Sequence, residues 1–507
     1  MQVDSSNSRR GFLVNTFFSL ISWLFPLCLA FVATPIIVKA LGNELYGIYA
    51  LFLGFLSFAF TTGVGRVAAK YIPEYRVSGD SAALAETISA TLWLSISIGI
   101  VQAAILASAT AFLVTDILLI EPGLRDIAIT SLYLASGAGL VMMVSQVFQS
   151  ALHGQHRFDS YALLTNLNGL LLAGGNIFLV WNAYGVETLA VWNLILTATF
   201  ALLFYFSARR HLPELRLLFH FPREIFLSVA RYAGSIVIYQ GLTSLLYAFE
   251  RSWIVRTSGP EALTFYVIPM MLAIYMHGLL VNILYVLFPA ANELLNDPER
   301  LAALYKQATR AALVLLVFIL TTYICTGRAF LLLWVGEDFA ARSYSLLVIH
   351  GVTYALNAIC IVTWMLAETF RAPSLNVLST SLWVAAAIPL MVIAGGYWSI
   401  EGIALARLAG VLLTVPLIFY IEKKFFGQVF FGFWGGILWK AALSALALAA
   451  VQLSILSYAG AGWAGLVIAA AAGGGAFGGA LYFMGYLSAE EISKVRGVIK
   501  AKVFGLR

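Results

Sequence analysis

The residues able to do chemistry in this chain are few, and most of them are cations set against apolar surroundings. Lys39, Arg66, Lys70, Arg251, Arg256 and Arg310 each interrupt or border a long hydrophobic run, with Glu250 and His277 as the matching acid and imidazole. Arginine presents a planar fork of donors that grips an oxyanion through paired, charge-assisted hydrogen bonds. A glutamate or histidine deep in an apolar segment can carry a proton or answer a cation. Each charge costs on the order of 2.5–3.5 kcal/mol near the centre of a lipid bilayer on insertion scales. Each therefore calls for a reason.

Spacing narrows the reasons without deciding between them. Arg66 and Lys70 lie four apart on one helical face, which suits either reception of an anion or ordinary anchoring at an interface. Lys39 and Arg256 border the ends of their runs, as an anion-holding pair or as side chains snorkelling to water. Glu250 and Arg251 are adjacent, so on a helix they diverge by about 100° and cannot pair with each other. Arg310 lies roughly two turns inside its run, where substrate contact and snorkelling both fit. Arg407, deeper still, reads as a brace for a buried acid or as a lining group. His277 and His350 either relay protons or hydrogen-bond between helices. The "HGQH" of residues 153–156 lacks further ligands, and all three cysteines (Cys28, Cys325, Cys360) lie in apolar segments. No metal site, disulfide framework or cofactor is expected.

The elements that must hold these groups are plain from composition. Of 507 residues, 61% are hydrophobic and 11% charged, against about 45–50% and about 25% in soluble domains. Such a chain cannot hide its apolar side chains in a soluble core, and an all-α polytopic membrane protein is expected. A span needs roughly 20 mostly apolar residues, and about fourteen segments qualify by that rule. The first six are 12–38, 46–69, 84–114, 127–151, 160–183 and 187–207. The next six are 226–256, 262–288, 305–327, 343–367, 374–397 and 401–422, followed by 436–457 and 463–486. The glycines of "GGGAFGGA" (473–480) predict close packing of the last span on span 13 or on another protein. The opening run is too long for a signal peptide, and the absence of a P-loop argues against ATP hydrolysis.

Charge placement gives orientation. Outside the expected spans, twenty Lys and Arg fall on the side of the N-terminus, and only Lys39, Arg125, Arg256, Arg328 and Arg342 on the other. That bias places both termini in the cytoplasm. Net charge of +6 thus reflects loops and tail rather than a nucleic-acid surface. The basic tail from Lys494 to Arg507 is expected to lie on anionic lipid.

The chain also repeats itself. "IVKALGNELYGIY" at 37–49 returns as "IVRTSGPEALTFY" at 254–266. At nearly the same offset Pro73 is answered by Pro289, and Glu187 by Glu401. Three correspondences in order predict two homologous six-span lobes, 1–207 and 226–424, joined by a cytoplasmic linker at 208–225. Two extra spans (425–487) and a basic tail (488–507) follow. Six is even, so the lobes are parallel repeats around a central cleft, an arrangement built for alternating access.

Residues 35–80, "PIIVKALGNELYGIYALFLGFLSFAFTTGVGRVAAKYIPEYRVSGD", together with "LLLWVGEDF" at 331–339 and the junction between spans 7 and 8, resemble Wzx-type polysaccharide flippases. These belong to the multidrug/oligosaccharidyl-lipid/polysaccharide (MOP) transporter superfamily. The resemblance covers most of residues 12–424. Many relatives carry an acid just before the glycine of span 2; here Thr61 and Thr62 precede Gly63, so that acid's role does not carry over. The resemblance implies export of a polyprenyl-diphosphate-linked oligosaccharide across a bacterial inner membrane for cell-surface polysaccharide (lipopolysaccharide or exopolysaccharide) synthesis. The partners it implies are membrane lipid, a coupling proton or sodium ion, and polysaccharide polymerase machinery. The diphosphate would then need the cations: Lys39, Arg66, Lys70, Arg251, Arg256 and Arg310 as substrate-binding groups, Glu250 and His277 as ion-coupling groups. The rival within the superfamily is a cation-coupled multidrug exporter, which calls for acidic rather than basic lining. A glycan polymerase or ligase would need a large outer loop, and the longest candidate (328–342) is short. The protein is not expected to be an enzyme.

Overall fold

The computed structural model describes residues 24–60, 71–72, 74–75, 78–155, 157–215, 218–219, 222–285, 291, 294–370, 372, 374–460 and 462–486. Among them the chain is helical: α1 (Leu24–Leu41), α2 (Asn43–Phe60), α3 (Ser81–Phe112), α4 (Pro122–Gly154), α5 (Phe158–Trp181), α6 (Val186–His211) and α7 (Arg223–Tyr285). There follow α8 (Pro298–Trp334), α9 (Glu337–Thr369), α10 (Ser374–Leu412), α11 (Pro416–Phe426), α12 (Phe431–Ala459) and α13 (Trp463–Phe483).

Local chemistry sets these boundaries. Asp80 caps α3 by accepting from Ala83 N at 2.9 Å, and Asp297 caps α8 by accepting from Arg300 N at 3.1 Å. Such caps satisfy amides that the helix itself leaves unpaired. Proline opens α4, α8 and α11, where its missing N–H costs nothing. Gly427 closes α11 in the left-handed region, with its N–H on Lys423 O, the usual helix stop.

Eleven of the described helices are long and apolar enough to cross a membrane. Two of these are too long to cross once. The stretch Gln240–Val281 holds 42 residues and Ser374–Phe426 holds 53, against the ~20 that one crossing takes. Gly259 (φ 80°) breaks the first, and Trp398 with Ser399 (φ 50°) breaks the second. Each therefore supplies two spans, at the gaps expected from the sequence. Counting α2, whose apolar run continues past the described residues, accounts for the fourteen spans. This is an all-α, multi-pass membrane protein.

Two compact units make up the chain: Met1–Val267 with Thr380–Ala406, and Ile268–Ser379 with Arg407–Arg507. In the first, α4 packs on α2, α3 and α6, and α6 also packs on α5. Ile88, Leu92, Val147, Leu152, Leu196, Phe200 and Phe204 form its buried centre. Small hydroxyl residues Thr87, Ser89, Thr91 and Ser95 line the buried side of α3, letting backbones approach as membrane helices do. In the second unit, α8 packs on α9, α12 and α13, and α12 on α13. Gly473 faces Leu448 and Gln452 so closely that a Cβ there would collide with both. Gly473 thus lets α13 pack closely on α12, and Gln452 Nε2 donates to Thr322 Oγ1 of α8 at 3.0 Å.

Candidate functional site

Within the first unit, the two copies of the junction each carry a glycine at positive φ. Gly42 has φ 79° and Gly259 has φ 80°, values that glycine adopts without the penalty other residues meet. On one side of each glycine, Ile37, Val38, Ile254 and Val255 are buried, while Lys39 and Arg256 are exposed. On the other side, Tyr49 and Tyr266 are both buried. The copies also touch. Thr264 Oγ1 donates to Asn43 O at 2.5 Å, and a Cβ on Gly47 would run into the Pro260 main chain.

Two cations of this region, Arg251 and Arg256, are tied to main-chain carbonyls. Arg251 Nη1 donates to Ala50 O of α2 at 3.0 Å, and its side chain lies over Gly54, where any Cβ would collide with it. Arg256 Nη1 donates to Ile117 O at 2.7 Å and Asp116 O at 3.1 Å. These carbonyls end the π-helical turn Leu113–Ile117 that closes α3. Helix C-termini carry unpaired carbonyls and partial negative charge, so Arg256 acts as a cap. A guanidinium has five N–H donors, and the two bonds of Arg256 use only its Nη1. Glu250 is fully buried and accepts from Tyr266 O–H. Its neighbour Arg251 reaches instead toward α2, as adjacent helical positions must. Lys39 is exposed on α1. Arg66 and Lys70 lie outside the described residues.

In the second unit, Tyr486 O–H donates to Arg310 O at 3.1 Å and its ring lies 5.9 Å from the guanidinium. Arg310 edges a groove of about 480 Å³ between α8 and α13. Arg407 is wholly buried, donates to Tyr354 Oη at 3.1 Å and stands over that ring at 5.4 Å. His277 meets the same ring edge-on, with centroids 5.9 Å apart. Its Nε2 is buried and has no hydrogen-bond partner among the described residues. His350, also fully buried, sits one turn before Tyr354 on α9. Arg407, His350, Tyr354 and His277 thus gather three helices around one cationic and aromatic centre.

Sequence reasoning missed Glu422, which is 0% exposed within α11. It accepts from Tyr305 O–H at 2.7 Å, Trp434 Nε1 at 2.8 Å and Phe430 N at 3.0 Å. Its place just before Lys423 and Lys424 resembles that of a loop acid. Only the aromatic density of residues 425–434 hints that it is enclosed. Tyr354 also went unremarked, since one tyrosine in an apolar run has no periodic signature. His153 packs against the rings of Tyr161 and Phe158 at 4.2 Å and 5.3 Å, and His156 lies outside the described residues. Among the described residues no three His, Cys, Asp or Glu come together.

These groups can hold an anion on arginine and carry charge through a buried acid or imidazole. No protein-family model and no curated protein matches the chain by sequence. Solved structures do match in fold. A multidrug resistance MATE-family transporter of the MOP superfamily, inward-facing, aligns with TM-score 0.65 at 17% identity over 80% of this chain and 99% of its own. The lipid II flippase MurJ in an inward closed conformation aligns with TM-score 0.69 at 13% identity, over 92% of this chain and 97% of its own. A MOP transporter from Pyrococcus furiosus, in which reverse polarity of the binding pocket suggests a different function, aligns at 0.57 and 15% over 82% and 93%. At such identities the likeness concerns the fold: the chain has the fold of MOP superfamily transporters.

Proposed function

We propose that this protein is a flippase that carries a polyprenyl-diphosphate-linked oligosaccharide from the cytoplasmic to the outer leaflet of a bacterial inner membrane. Its product would feed cell-surface polysaccharide synthesis. The observation that carries the reading is the reach of the likeness to a lipid-carrying neighbour. The lipid II flippase aligns over 92% of the chain and the multidrug transporter over 80%. The difference is comparable in size to α12 with α13.

In this reading the lobes 1–207 and 226–424 rock about a central cleft, with both termini cytoplasmic. The lipid tail stays in the bilayer while the diphosphate follows cations. Arg66 and Lys70 receive it, Arg310 borders its entry, and Lys39, Arg251 and Arg256 hold it before release. Arg251 and Arg256 suit that task because their carbonyl bonds hold each guanidinium in place. Glu250 or His277 serves as the coupling group for a proton or sodium ion, His277 because its buried Nε2 has a hydrogen bond still to make. A polymerase would take the delivered glycan.

Deleting the gene should make lipid-linked glycan accumulate on the inner leaflet, measured by its accessibility to a glycan-modifying enzyme on each side. Replacing Arg251 and Arg256 together by Ala should stop export in cells that still insert the protein; unchanged export removes both from the mechanism. The second reading is a cation-coupled multidrug exporter, favoured by the likeness to the MATE transporter. It requires deletion to raise sensitivity to cationic drugs with no change in surface glycan.

A further inference from the structure

The cytoplasmic-side ends of α5 and α6 hold a cluster that export does not use. A pocket of about 510 Å³ there is lined by Arg157, Ser160, Phe206, Ser207, Arg210 and His211. Arg157, at the N-terminal cap of α5, is held rigidly. Its Nε and Nη2 donate to the two carboxylate oxygens of Asp159, both at 3.0 Å, and its Nη1 reaches His211 Nδ1 at 3.3 Å. A guanidinium only donates, so Nδ1 accepts and Nε2 of His211 is left as a donor. Arg210 makes no hydrogen bond or ion pair among the described residues and is exposed. The pocket therefore offers one whole guanidinium, an imidazole N–H and two hydroxyls. No acid lines it, and the neighbouring Asp159 is paired with Arg157.

The same face of α6 continues as an apolar stripe away from the pocket. Ile195, Leu202 and Phe206 are 50%, 59% and 63% exposed, at spacings that keep them on one side of a helix. In a chain that spans the bilayer, such a stripe faces lipid. We infer that Ser207, Arg210, Arg157 and His211 form a binding site for the phosphate headgroup of an anionic phospholipid, whose acyl chain lies along Phe206 and Leu202. Two features specify the occupant. No carboxylate lines the pocket to receive the ammonium of a zwitterionic headgroup, which selects net-anionic lipid. A soluble phosphate would make no use of the apolar stripe, which selects a lipid over the free ion. Basic pockets between spanning helices on the cytoplasmic side bind such headgroups by the same physics. The inference does not depend on which cargo is exported.

The test uses the full-length protein, purified in a neutral detergent, with thermal melting and native mass spectrometry as readouts. Phosphatidylglycerol should raise the melting temperature and remain bound, while phosphatidylcholine and inorganic phosphate should do neither. Arg210→Gln should weaken phosphatidylglycerol binding roughly fivefold, the equivalent of about 1 kcal/mol for one arginine near a membrane surface. Arg210→Lys should restore most of it. Phe206→Glu, at an exposed position, should abolish the lipid response while leaving the lipid-free melting temperature unchanged. An equal response to phosphatidylcholine or to inorganic phosphate overturns the inference. So does an undiminished phosphatidylglycerol response in the folded Arg210→Gln and Phe206→Glu proteins.

Discussion

Gly47 and Gly478 form a matched pair for asking what a single hydrogen contributes. A methyl on Gly47 would meet the Pro260 main chain, whereas one on Gly478 meets nothing within 4 Å. Overpacking against backbone costs about 1–3 kcal/mol, so Gly47→Ala should lower the melting temperature of the purified protein. Gly478→Ala should hold or raise it, because alanine exceeds glycine in helix propensity by about 1 kcal/mol. Glu422 gives a second test at this scale. Glu422→Ala strands three buried donors, on Tyr305, Trp434 and Phe430, at about 1–3 kcal/mol each. It should destabilise far more than Tyr305→Phe, which removes a single donor; equal losses would mean that the carboxylate is not the hub. The sequence shows that Gly47 and Glu422 exist but not what faces them, since their partners come from other helices.

Helix ends in this chain are set partly by distant side chains. The π-helical turn Leu113–Ile117 presents its last carbonyls to Arg256, more than a hundred residues away. A cation at a helix C-terminus is worth about 0.3–1 kcal/mol. Arg256→Ala should therefore speed amide hydrogen exchange at residues 118–121 roughly two- to fivefold, with Arg256→Lys in between. No change would mean that α3 closes without that contact. The breaks in the long helices were legible beforehand, because Gly259 and the residues around Ser399 interrupt apolar runs too long for one crossing. The capping by Arg256 was not, because nothing near residue 117 marks a cation's target.

For the molecule as a whole, its cysteines report packing depth without any introduced label. Cys28 is exposed on α1, Cys325 half-buried on α8 and Cys360 buried on α9. A membrane-permeant maleimide should leave Cys360 unmodified until the protein is denatured. Early modification of Cys360 in folded protein would contradict the packing of the second unit. Glycan export and drug sensitivity in a deletion strain then decide between the two transport readings.

Much of this architecture was open to sequence reasoning because the bilayer imposes a length on every span. Apolar runs, their breaks at Gly259 and Ser399, and the duplicated junction could all be read along the chain. Where each charge points could not. A helix that is apolar all round has no amphipathic stripe to tell its buried side from its lipid side. Only tertiary packing decided that Arg251 reaches Ala50, that Arg256 caps α3, and that Glu422 gathers three donors. A side chain's direction in such a helix is set by its neighbours, and neighbours are a property of the fold.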